Sequence, residues 1–297
     1  MNKFLLIDGN LLMFKSFYAT YNPNVPEKIL KNSKGIYTNA IYVFLKSLFK
    51  ILDYINPTHL MIAFDASSQT WRKQEFANYK EGRSKTPEIL FSQFDILKVL
   101  LTKLNCFWLQ HEGDEADDII ATFTKNPGFH YYVFSNDKDL LQLVDENVTI
   151  VQTGKTDYEN PYKIISNQNF FQIFNLFPNQ IPDFKGLAGD SSDNIPGVNQ
   201  IGEKKAITLL QKFGNIDSIY KNIDEIKSKL RENLENEKEL AFFYKKIATL
   251  NKDVQIDYSL GQCINFFDGD LTDAIKMLED LELKSIANRI KNFTIKW

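Results

Sequence analysis

Three short apolar runs, residues 4–7, 60–64 and 131–134, contain no polar position, which is the pattern of strands buried on both faces. Each ends at an acid: Asp8-Gly9-Asn10 follows the first, Asp65 the second, and Ser135-Asn136-Asp137-Lys138-Asp139 the third. Between them, residues 37–54, 89–104 and 114–125 place apolar side chains at helical spacing, and Leu140, Leu141 and Leu143 read as a further helix. The alternation predicts an α/β fold with a parallel central sheet flanked by helices. Asp8, Asp65 and Asp137 then share the carboxyl edge of that sheet, where open α/β sheets bind ligands. From about residue 215 the pattern is helical, with 239–250 and 274–290 reading as amphipathic packing helices. No repeat or long linker interrupts the chain, so two lobes in one body are expected.

The densest acidic stretch is Glu112-Gly113-Asp114-Glu115-Ala116-Asp117-Asp118, just ahead of apolar Ile119, Ile120 and Phe123. The acids therefore occupy a helix N-terminus. With Asp114 as the N-cap, Glu115 and Asp118 share a face and Asp117 lies about 100° round from Asp118. Capping and dipole compensation account for one or two of these acids. Four are harder to explain, because like charges this close raise one another's pKa unless a cation sits among them. A lone acid after a strand is commonly just a helix cap, and Asp8 or Asp137 taken singly could be that. Three strands with the same ending, plus the acidic helix start, point instead to a divalent-metal site.

Composition narrows the chemistry. The 297 residues are 43% hydrophobic and 25% charged, ordinary for a globular protein with a sizeable core. A net charge of −3 provides no global basic field, so any nucleic-acid surface must be local. Two distant cysteines and three histidines argue against a zinc site or a disulfide framework and suit a reducing cytoplasm. The apolar N-terminus is broken by Asp8 and Asn10 too early for a signal peptide, and no stretch approaches membrane-spanning length.

Residues 67–87 interleave bases with aromatics: Thr70-Trp71-Arg72-Lys73, Phe76, Tyr79-Lys80, Arg83 and Lys85. That suits a surface gripping phosphates and stacking on bases, with Lys80 and Arg83 on one helical face; a solvated amphipathic helix is the plainer alternative. Position favours the first, because the segment follows Asp65. Further on, Gly197 and Gly202 flank Ile201 ahead of an amphipathic helix bearing Lys204 and Lys205, which describes a tight hairpin with a phosphate site at a helix N-terminus. Asp190 and Asp193 stand just before it and could reach the same metal centre.

Taken in order, Leu6-Ile7-Asp8-Gly9-Asn10, Ala63-Phe64-Asp65, Tyr79-Lys80 with Arg83, Glu115-Ala116-Asp117-Asp118, Asp137-Lys138-Asp139 and Gly189-Asp190 with Asp193 and Gly197 resemble the 5′-3′ exonuclease or flap endonuclease family. The resemblance spans about residues 3–220 and is closest to the nuclease domain of bacterial DNA polymerase I. It implies residues 1–175 as an α/β nuclease domain with a helical arch at about 67–90. Residues 176–297 then form a helical C-terminal lobe with a helix-three-turn-helix. It also implies that Asp8, Asp65, Glu115 and Asp117 gather around one divalent ion, and that Asp118, Asp137, Asp139, Asp190 and Asp193 serve a second. Lys80 and Arg83 become catalytic, and DNA is met by Lys15, Arg72, Tyr79, Gly197, Ile201, Gly202, Lys204 and Lys205.

An all-oxygen cluster suits two Mg²⁺ ions, with Mn²⁺ as a substitute, and the resemblance adds K⁺ at the helix-three-turn-helix. The implied substrate is DNA with a free 5′ end or 5′ flap, including RNA-primed ends, cut in replication and repair. A monomer is expected, with any partner polymerase a separate chain. Two positions depart from the family pattern: Lys15 stands where Arg is usual, and Asn136 where Gly is usual, a place Asn can fill in the left-handed region. The competing readings are a metal-dependent ribonuclease on a related sheet and a non-catalytic binder of DNA junctions.

Overall fold

The computed structural model describes residues 1–25, 28–66, 69–83, 86–154 and 161–292. The strands are β1 (Asn2–Asp8), β2 (His59–Asp65), β3 (Trp108–His111), β4 (Phe129–Phe134), β5 (Val148–Thr153) and β6 (Tyr162–Ile165), in the order β3-β2-β1-β4-β5-β6. All pairs are parallel except β5 with β6. The chain moves outward from β1 to β3, then crosses back to set β4 on the other side of β1. That reversal opens a crevice at the carboxyl ends of β1 and β4, which is where ligands settle in such sheets.

Alternation within each strand serves two cores. Leu5 and Ile7 of β1, with Leu60, Ile62 and Phe64 of β2, face α1 (Gly9–Tyr18), α2 (Asn39–Ile55) and, beyond the short α3 (Trp71–Glu75), α4 (Glu88–Lys103). Phe4, Leu6, Met61 and Ala63 face α5 (Ala116–Phe123) and α6 (Phe170–Phe174). A third core joins α7 (Ile181–Ala188), α8 (Glu203–Phe213), α9 (Ile216–Lys221), α10 (Ser228–Asn236) and α11 (Lys238–Ala248). The last two helices, α12 (Thr272–Asp280) and α13 (Lys284–Lys291), return to the first core, so the chain end packs on the α/β lobe.

Several local expectations are corrected. The cap of α5 is Glu115, not Asp114, and Asp114 turns aside to His111 and Asn251. Asp139–Leu143 is a 3-10 turn, which keeps Leu140, Leu141 and Leu143 buried without a full helix. The predicted helix over 274–290 breaks at Glu282, whose φ of 61° lets Leu281 and Leu283 both reach the core. Among the described residues of 67–90 no single helical arch runs through the segment: α3 is five residues long and turns follow it, with Lys80 at φ 56°, so Lys80 and Arg83 share no helical face. Lys85 lies outside the described residues.

The turn between α7 and α8 brings two stretches of backbone into close approach. Gly197 has φ 72°, and a Cβ there would stand 2.3 Å from the amide nitrogen of Gly189, itself at φ 79°. Only glycine tolerates both demands. Gly197→Ala is therefore expected to lower the unfolding free energy by about 2 kcal/mol or more. A urea titration checks this, and an unchanged midpoint would contradict it.

Candidate active site

Asp8, Asp65 and Asp137 at the crevice are each held by donors that their own segment or a neighbour supplies. Asp8 ends β1 and caps α1 through Oδ1, which accepts from the Leu11 amide at 2.9 Å, while Oδ2 accepts from Ser135 Oγ at 2.9 Å. The same serine oxygen accepts from the Asp137 amide at 3.0 Å, so one hydroxyl sets the β1 and β4 ends side by side. Asp65 is gripped by Asn10, whose Nδ2 donates to Oδ2 at 2.7 Å, and by the first amide of α5, Ala116, at 2.8 Å. Asp137 Oδ1 in turn accepts from the Asp139 amide at 2.8 Å.

Two triads result. Carboxylate oxygens of Asp117, Asp137 and Asp139 lie within 4.8 Å of one another, as do those of Asp139, Asp190 and Asp193, so Asp139 belongs to both. Asp117 also feels the charge of Asp8 and Glu115, which links the triads to the β1 end. Such crowding shows in the acidities. Burial above all, with Asp137 and Asp65 adding to it, pushes Asp8 up from 3.8 to about 7. Burial and the charges of Asp137 and Asp8 also raise Asp117. An all-carboxylate set with overlapping triads is the donor chemistry of hard divalent cations, and the residues present fit such ions.

Lysines and arginines already pair with part of the cluster. Burial raises the Asp190 pKa, but Lys185 outweighs it and brings the group down to about 2. Lys185, itself buried, spans Asp139 and Asp190, at 2.6 Å from the latter. Lys80 Nζ reaches Glu115 Oε1 at 2.6 Å, and Arg83 reaches Asp193 Oδ1 at 2.9 Å. Burial opposes ionisation of Glu115, yet Lys80 and Arg72 hold its pKa below the usual range. Lys185 was missed in the sequence because an inward lysine on α7 looks like any other. Asn10 and Ser135 sit inside recognised motifs but had been given no task.

Four expected roles do not match the positions found. Asp118 points away from the triads: it is fully buried and takes both arms of the Arg72 guanidinium, at 2.7 and 2.8 Å. Arg72 is only 2% exposed and so faces no DNA. Tyr79 offers no stacking face, because its ring is enclosed with Ile195, Tyr244 and Ile247 and its hydroxyl donates to Glu115 at 3.1 Å. Ile201 is buried in the third core and can serve a ligand only through its backbone. The two departures from the family pattern turn out to be partners, Lys15 donating to Asn136 Oδ1 at 2.8 Å. Asn136 also bonds Thr153 and is not among the positive-φ residues, so its turn needs no left-handed residue.

Beyond the acids, Gly202 caps α8, and Lys204 and Lys205 stand exposed in its first turn. Residues 196–202 line an open cleft of about 470 Å³ with Glu237, Leu240 and Tyr244. A carboxylate cluster at a sheet edge, flanked by bases and a glycine hairpin, is an arrangement that suits a divalent ion and a phosphate.

Comparison with known proteins agrees. Residues 3–175 match the family model of the 5′-3′ exonuclease N-terminal resolvase-like domain, and 176–266 that of the 5′-3′ exonuclease C-terminal SAM fold. The chain belongs to the 5′-3′ exonuclease family. It is 40% identical over 257 residues to a 5′-3′ exonuclease of Mycoplasmopsis pulmonis, covering 85% of this chain and 82% of that one. It is 39% identical over 296 residues to DNA polymerase I of Bacillus caldotenax, covering 98% of this chain but 32% of the polymerase, so it spans about a third of that relative. A zinc-bound structure of T5 5′-exonuclease shares the fold, with a TM-score of 0.66 at 22% identity and 98% coverage of both chains. Among the described residues no helix is long and apolar enough to cross a membrane.

Two outcomes are expected. Asp118→Ala strands a buried guanidinium and should cost about 3–5 kcal/mol of stability, read by urea unfolding. Asp8, raised in the folded state, contributes stability that is full below its ordinary 3.8 and is lost as pH climbs through about 7. In EDTA the wild type should therefore lose stability relative to Asp8→Asn across that window, and a pH-independent difference would count against the raised carboxyl.

Proposed function

We propose that the protein is a structure-specific 5′ nuclease that hydrolyses DNA at a free 5′ end or 5′ flap, including RNA-primed ends, using two Mg²⁺ ions. The observation that carries this reading is the pair of carboxylate triads sharing Asp139 at the switch point of the sheet. Asp8, Asp65, Glu115 and Asp117 would hold one ion, and Asp137, Asp139, Asp190 and Asp193 the other. Bound divalent ions supply an activated water and neutralise charge on the leaving oxygen.

The protein's own groups do the rest. Lys80 and Arg83, now on Glu115 and Asp193, turn to the scissile phosphate when DNA arrives and balance its developing charge. The amides of residues 197–202 and the charges of Lys204 and Lys205 grip the duplex backbone, with K⁺ as a counter-charge in the 196–202 cleft. Lys15 adds an exposed charge near the β4 end. Because these groups face phosphate rather than base edges, the enzyme selects branch shape and not sequence. It acts as a cytoplasmic monomer in replication and repair, alongside a DNA polymerase.

The test is cleavage of a 5′-labelled flap duplex in EDTA and then in Mg²⁺, with a single strand and an RNA hairpin as controls. Mg²⁺-dependent cutting near the flap junction is expected, and Asp117→Ala should abolish it while DNA binding persists. Lys80→Ala should lower kcat by about a hundredfold with little change in binding. Lys204→Glu with Lys205→Glu should instead weaken duplex binding and flatten its salt dependence. Preferential cutting of the RNA, or tight binding with no cutting, would overturn the proposal.

A further inference from the structure

Arg72 sits at the meeting point of three parts of the chain. All five guanidinium N–H groups are used: Nε donates to Ile247 O at 2.9 Å, Nη1 to Asp118 Oδ2 at 2.7 Å and Glu115 Oε2 at 3.1 Å, and Nη2 to Asp118 Oδ1 at 2.8 Å and Thr249 O at 3.1 Å. Its plane also lies 4.5 Å from the Trp71 ring. Asp118 is anchored independently, accepting from the Asn251 amide at 2.8 Å and the Glu115 amide at 3.2 Å. The guanidinium is therefore fixed by carbonyls at the end of α11 and by Asp118, and one N–H remains for Glu115.

The two oxygens of Glu115 are treated differently. Oε2 is held from the interior by Arg72 and by the Tyr79 hydroxyl, both almost wholly buried. Oε1 accepts from Lys80 at 2.6 Å, and that side chain is 26% exposed and rides on a turn. Arg72 cannot leave without stranding a buried charge, whereas Lys80 can swing into solvent or onto a phosphate.

We infer that Arg72 is a positioning residue that locks Glu115 through Oε2 so that Oε1 is presented to the metal cluster. This rests on the metal reading of the site and deepens it. A lysine at the same place keeps the charge but loses the planar fork, and cannot reach Asp118, Glu115 and the α11 carbonyls together. Partners of this kind orient a ligating carboxylate, and their loss typically weakens metal binding about ten- to a hundredfold.

The test is Mn²⁺ binding to the full chain without DNA, followed by the electron-spin signal of the free ion. Wild type, Asp117→Ala, Arg72→Lys and Tyr79→Phe are compared, with urea unfolding alongside. Arg72→Lys is expected to weaken Mn²⁺ binding about tenfold. Tyr79→Phe, which deletes the second donor to Oε2 together with the hydroxyl's longer 3.5 Å contact to Asp193 Oδ2, should shift binding less and in the same direction. For Arg72→Lys, kcat on a flap should fall at fixed Mg²⁺, recover at higher Mg²⁺, and leave KM for DNA unchanged. Arg72→Lys that folds and binds Mn²⁺ like wild type overturns the inference. Should Arg72→Lys fail to fold, Tyr79→Phe decides, and wild-type binding by it is then the overturning result. Failure of the metal reading looks different: the wild type binds no Mn²⁺, or Asp117→Ala binds as well as wild type.

Discussion

Mutual repulsion among carboxylates gathered at one sheet edge is the constraint around which this molecule is built. Asp8, Asp65, Asp117, Asp137 and Asp139 cannot be brought together in a partly buried crevice unless donors and cations are placed among them. The structure supplies these in layers. Amides of Leu11, Ala116 and Asp139 and the side chains of Asn10 and Ser135 orient individual carboxylates. Buried Lys185 and Arg72 offset part of the charge permanently, and Lys80 and Arg83 do so reversibly. Burial above all, and then the charge that the protein leaves unoffset, raises the pKa of Asp8 and of Asp117, and a cation among them would relieve that cost.

The sequence made the frame legible because the frame follows from periodicity. Unbroken apolar runs ending in acids marked β1, β2 and β4, and the acids at their ends lie where parallel strands put them. The outer edge β3 on one side and the pair β5 and β6 on the other escaped notice. β3 is short and half exposed, and β5 and β6 lack an acid to draw attention. What misled was proximity along the chain. Asp118 follows Asp117 directly, yet the next helical position rotates it about 100° into the interior. Arg72 and Tyr79 stand among basic and aromatic neighbours that suggested a surface, but Asp118 and Glu115, distant in sequence, draw both inward. Such long-range pairings leave no periodic trace.

Lys80 illustrates how a turn can serve chemistry better than a helix. Its left-handed backbone is braced by its own amide on Asp193 O at 3.0 Å and by the contact of Asn194 with Asn78 O at 2.8 Å. The loop from one lobe is thereby stitched to the loop from the other. The flexible side chain rises from a fixed point, so only its outer bonds need rotate for the ammonium to leave Glu115.

The same stitching has a consequence for the life of the chain before it is complete. Domains form largely in the order of their synthesis. A ribosome-bound chain that has displayed β1 to α5 already carries Asp8, Asp65, Glu115 and Asp117, but neither Asp190 nor Asp193 nor the Ile247 and Thr249 carbonyls that seat Arg72. The carboxylate cluster is split across the order of birth. A half-made copy thus holds only part of the acid set, and the second triad is completed only by the segment that also seats Arg72.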